Sequence, residues 1–181
     1  MTYSAQLELS RPRRGAAARP AISLLSLSVA GLVAMTSPPL SAEPAKGTLM
    51  ATGKVAATVN VKHAYLIKGP NAFGDKEVRL LILSEVDQSA QIKSCSTMSC
   101  ATQKLESGMT VEFDAGPRLL YWFVANGQRV QASGTALPDT INLTANTPQK
   151  IAGEWEYDAS GQGGPKIAVE FDAPVLNEVT K

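Results

Sequence analysis

Apolar and polar residues alternate with a period of two along most of the chain, the signature of half-buried strands. The densest apolar stretch is Arg118–Gly134. Leu119, Tyr121, Phe123 and Ala125 fall on one side of an extended backbone, and Leu120, Trp122 and Val124 on the other. Both sides being apolar, this run predicts a strand buried on two faces. Asn126-Gly127 tolerates the positive φ angles of a two-residue type I′ turn and so predicts a hairpin.

Other strands are expected at Gly47–Val55, weakened by Gly53, and at Ala57–Lys68. In the latter, Val59, Val61, His63, Tyr65 and Ile67 share a side opposite Thr58, Asn60 and Lys62. Glu77–Leu83 has Val78, Leu80 and Ile82 on one face and Leu81 and Leu83 on the other, as expected of a central strand. Met109–Asp114, a short strand around Ile141 and Leu143, and the pair Lys150–Asp158 and Lys166–Asp172 complete the set. In the last pair Ile151, Gly153, Trp155 and Tyr157 should meet the same core as Ile167, Val169 and Phe171, with Lys166 pairing Glu156 or Asp158 outside. Ser84–Ser107 is polar and shows no sustained period, apart from a candidate helical turn at Ser89–Lys93. Its length suggests a functional loop or a crossover. Eight or nine strands at spacings of roughly ten to twelve residues predict an all-β domain, an antiparallel sandwich of Ig-like or Greek-key type. Trp122 and Trp155 are its candidate core centres.

The N-terminal region follows other rules. Arg11, Arg13, Arg14 and Arg19 precede the uncharged, mostly apolar run Ala21–Met35, and Pro38-Pro39 precedes Leu40-Ser41-Ala42. This is the layout of a cleavable signal peptide over residues 1–42, too short for a comfortable membrane span. The single domain is then 43–181, with no stable membrane insertion after cleavage. Four of the 17 Lys+Arg and one of the 16 Asp+Glu precede residue 43, which leaves a formal charge of −2. No basic stripe remains, so nucleic acid is not an expected partner. Cys95 and Cys100 are the two cysteines. In an exported chain they are expected to form a disulfide, worth roughly 2 kcal/mol for so short a loop.

His63-Ala64-Tyr65 before a Gly/Pro turn, the run Val78–Ser84, Gly163-Gly164-Pro165 and Val169-Glu170-Phe171-Asp172-Ala173 resemble a group of small exported bacterial proteins of unknown function. The resemblance spans most of residues 43–181. It implies a signal peptide, a β-sandwich and the periplasm, and no activity, cofactor or functional residue.

Chemistry-bearing residues are sparse. His63 is the single histidine, so sites that need two are excluded. It lies on an apolar face and reads as a core imidazole. The alternative is a small hydrolase using His63 as base, although no Gly-x-Ser-x-Gly elbow is present. A copper carrier using His63 with Met50, Met98 or Met109 is a further alternative. Glu154/Glu156 and Glu170/Asp172 each share a strand face and read as a solvated edge. Tyr121-Trp122-Phe123 reads as core before it reads as a sugar-stacking platform. No catalytic, metal or cofactor residue is assigned. The expected function is a non-catalytic periplasmic module whose loops, at one end of the sandwich, contact an envelope protein or a neutralised effector. Those loops are Gly69–Asp75, Cys95–Cys100 and Ser160–Pro165, and the residues chosen are Pro70, Asn71, Phe73, Met98 and Gln162.

Overall fold

The structure, a computed structural model, describes residues 43–52, 56–71, 74 and 76–180. The leader expected over 1–42, Gly53 and Phe73 lie outside the described residues. Nine strands follow in order: β1 (Glu43–Ala51), β2 (Ala57–Pro70), β3 (Glu77–Ser84), β4 (Gly108–Phe113), β5 (Leu119–Ala125), β6 (Gln128–Ala136), β7 (Ile141–Thr147), β8 (Lys150–Asp158) and β9 (Pro165–Glu178). Two short helices, α1 (Ser89–Lys93) and α2 (Met98–Gln103), lie between β3 and β4. The all-β reading holds.

The arrangement differs from the expected pair of facing sheets. All nine strands join edge to edge in one sheet, ordered β6-β5-β4-β3-β2-β1-β9-β8-β7. Neighbours are antiparallel, and where β1 stops, β2 and β9 pair directly in parallel at Leu66↔Val175. The sheet curls into a half-barrel. Tyr121 of β5 and Trp155 of β8, far apart in strand order, meet edge-on with ring centroids 6.2 Å apart. Bulges supply some of this curvature. One lies in β1 between Pro44 and Gly47, and one in β7 between Leu143 and Ala145, opposite Gly153. Gly47 and Gly153 have φ of +133° and +157°, and a Cβ on either would strike the neighbouring strand's backbone.

The concave face holds the main core. Leu49, Leu81, Val111, Phe123, Ile151, Trp155 and Phe171 all lie within it. A second cluster forms on the convex face of β2–β5: Tyr65, Ile67, Val78, Leu80, Ile82 and Val124 pack beneath Ile92, Cys95, Met98, Ala101 and Leu105. The irregular segment is therefore a cover. It exists because β2 and β3 are apolar on both sides and the curled sheet can bury only one. Asn177 Nδ2 donates to the carbonyls of Ile92 and Cys95, which ties the cover to β9. Thr97 caps α2 by accepting the Cys100 N–H. Cys95 and Cys100 stand at disulfide distance, as expected.

Three expectations are corrected here. The odd residues of β2 do not share a face: Val59 and Val61 point into the main core, whereas Tyr65 and Ile67 join the outer cluster, and Ala64 and Leu66 take the inner positions. The change falls where β1 bulges opposite Val61–His63. Met98 is buried in the outer cluster rather than displayed on a loop. Trp122 is no core centre. It is 44% exposed, and Leu120 beside it on the same face is 38% exposed, because the α1–α2 cover stops short of them. Trp155 is fully buried, as expected.

Candidate functional site

The place where the cover stops is a groove of about 450 Å³ on the convex face. Cross-strand register builds its floor. Leu80 of β3 stands opposite Glu112 of β4, and Glu112 opposite Leu120 of β5. Thr110 stands opposite Trp122, which faces Ser133 of β6, while Leu120 faces Thr135. Paired residues share a side of the sheet, so these side chains form one outward row of apolar and polar groups. Met98 and Thr102, one turn apart on α2, make a wall, and Pro70 and Asn71 close one end. Gly69 lets the wall come close: a Cβ there would sit 3.2 Å from Met98 Cγ and 2.4 Å from Val179 Cγ2.

Glu112 is the charged group in this floor. Asn71 Nδ2 donates to its Oε1 at 2.9 Å. Burial between the two leucines pushes its carboxyl above the ordinary range. Among the described residues no lysine, arginine or histidine lies within salt-bridge reach of it.

The structure thus brings together Pro70, Asn71 and Met98, three of the residues chosen from sequence, and not Gln162. Gln162 sits in a turn between β8 and β9, tied by Thr52 Oγ1 to the Gly164 carbonyl. Ala51 pairs with both Ala57 and Pro165, so that turn lies beside the start of β2. Pro70 ends the same strand, 14 residues long, roughly 40 Å away at strand rise. The loops do not share one end of the molecule. Sequence reasoning missed Glu112 and Leu120 as site residues and set Trp122 in the core ahead of a stacking surface. Leu120 and Trp122, on a strand apolar on both faces, look like core unless one knows where the cover ends.

Other expected chemistry is placed as follows. His63 is half-buried and stacks parallel to Tyr65, with ring centroids 6.2 Å apart. It faces Ser84 across the β2–β3 register. Asp87 lies near enough to feel its charge. The residue types of a hydrolytic triad do converge, but their hydrogen bonds are engaged elsewhere. Ser84 is fully buried, and its hydroxyl donates to the Val86 carbonyl. Asp87 accepts from the Ser89 N–H and the Tyr65 hydroxyl. Those bonds, that of the Ser89 backbone foremost, hold its carboxyl below the usual range. The hydroxyl of Tyr65 also accepts the Gln88 N–H, and burial raises its pKa. This cluster starts α1, and the serine that faces His63, Ser84, is buried. Met50 is partly exposed, Met98 lies in the outer cluster and Met109 in the inner core, so the three thioethers occupy separate environments.

Three carboxylates of β8 and β9 stand in ion pairs: Lys46–Glu170 at 2.6 Å, Lys150–Asp172 at 2.7 Å and Lys166–Asp158 at 3.2 Å. The Ser160 hydroxyl and N–H, with Lys166, draw the Asp158 carboxyl down to about 2. This face reads as a solvated, charge-paired surface. No helix among the described residues is long and apolar enough to cross a membrane. No protein-family model, curated protein or solved structure matches the chain.

Proposed function

We propose that the chain is an exported, non-catalytic binding module, and that its convex groove holds a segment of a protein partner. Residues 1–42 act as a cleaved leader, and the partner is an envelope protein or an effector that the module neutralises in the periplasm. One observation carries this reading: Trp122 and Leu120 stand exposed, side by side, on the floor of a groove walled by α2. Large apolar side chains grouped in a concavity mark recognition surfaces, and tryptophan is among the residues that most often anchor them. The disulfide in the cover suits an oxidising compartment. β6, at one edge of the sheet, runs alongside the groove and offers backbone groups to a bound segment.

A photoreactive benzoylphenylalanine at Ser133, on the groove rim, tests the reading in exporting cells. It should yield a discrete adduct that the same group at Gln162 does not. No adduct from Ser133, or identical adducts from both positions, would refute the groove as the binding site. N-terminal sequencing of the exported product should begin at Glu43.

A further inference from the structure

Glu112 makes the groove selective. Its carboxylate is flanked by Leu80 and Leu120 and is partly shielded from water. Its hydrogen-bond donor from the protein is the neutral amide of Asn71. A bound apolar side chain would strip the remaining water from that carboxylate and leave its charge unmatched, which is costly. A bound acidic side chain would be repelled. A cation gains instead. Trp122 lies one pair along from Glu112 on the adjacent strand, a diagonal separation of about 7 Å. An ammonium or guanidinium placed between them meets the carboxylate on one side and the indole ring on the other. Val78, Leu80 and Met98 give the lining an apolar stretch that suits an uncharged neighbour.

We infer that the groove reads a lysine or arginine side chain of the partner, held between Glu112 and Trp122, with an adjacent apolar residue against Leu80 and Met98. The inference rests on the groove being a protein-binding site, and its test separates the two. A random heptapeptide library displayed on phage is selected on the purified exported protein. Winners should carry a basic residue next to an apolar one, and should lose binding to Trp122→Ala. In synthetic copies, replacing arginine by citrulline or lysine by norleucine should weaken binding about tenfold on the native protein. On Glu112→Gln the same replacement should cost less than about threefold. Winners that need Trp122 but lack a basic residue would overturn the cation and leave the groove standing. So would a replacement that costs the same on both proteins. Winners indifferent to Trp122→Ala, or a neutral oligosaccharide that shifts Trp122 fluorescence when no peptide does, would overturn both.

Discussion

Reducing the disulfide should loosen one wall of the groove while leaving its floor intact. The bond joins residues five apart in sequence. Closing so short a loop removes chain entropy worth about 2 kcal/mol at 25 °C. In equilibrium terms that is about thirtyfold. The loss should be local, since the two helices are held differently. α1 keeps the bonds from Asn177 to the Ile92 and Cys95 carbonyls and the cluster of Tyr65, Asp87 and Gln88 at its start. α2 keeps its Thr97 cap and the burial of Met98 and Ala101, and the Gln88 amide donates to the Lys104 carbonyl just beyond it, but among the described residues no hydrogen bond joins the Met98–Gln103 backbone to a strand. Amide hydrogen exchange, followed in Cys95→Ser/Cys100→Ser against the native protein, resolves the difference. Amides at the C-terminal side of α2 should exchange about thirtyfold faster, those of α1 within about threefold of native, and those of β3 and β4 unchanged. Equal acceleration in α1 and α2, or none in α2, would refute the reasoning that the disulfide and Asn177 hold separate halves of the cover.

Two further outcomes follow from the same contacts. Asn177→Ala should cost about 2 kcal/mol by denaturant titration, as two buried carbonyls lose one donor group, and should accelerate exchange in α1 ahead of α2. Glu112→Gln should stabilise the protein at neutral pH, by less than about 1 kcal/mol because solvent screens a carboxyl that is only partly buried. The sign follows from a folded carboxyl raised above its usual value of 4.5: below 4.5 both states carry the proton and the gain vanishes, and as pH rises the unfolded chain ionises first, so the native protein loses stability relative to the variant until the folded carboxyl has ionised too. Thermal melts of both proteins across that range check it; a difference that shrinks with rising pH would reverse the assignment.

Much of the architecture was legible in side-chain alternation. The strands at β3, β4, β8 and β9, the Asn126-Gly127 turn with φ of +53° and +70°, the helical turn at Ser89–Lys93 and the cysteine pair all stand where the pattern put them. The hidden parts have a common cause. Period two tells which residues share a side of a strand, not what lies against that side. β3 and β5 both read as apolar on two faces, yet the outer face of β3 is covered by helices and that of β5 opens onto solvent at Leu120 and Trp122. α2, six residues long, is too short to display a period of 3.6, so that half of the cover could not be seen in the polar run that encodes it. The switch of sides inside β2 depends on a bulge in its neighbour β1, which no pattern within β2 records. Closure of one sheet rather than two depends on strand order, which alternation does not carry.

The most direct test asks which tryptophan meets solvent. The chain has two. Trp155→Phe leaves Trp122 as the sole reporter, and Trp122→Phe leaves Trp155. Acrylamide should quench Trp122 efficiently, with red-shifted emission, while Trp155 stays blue-shifted and shielded. Trp122 as well shielded as Trp155 would mean that β5 is covered on both faces, and the groove, with the recognition built upon it, would not exist.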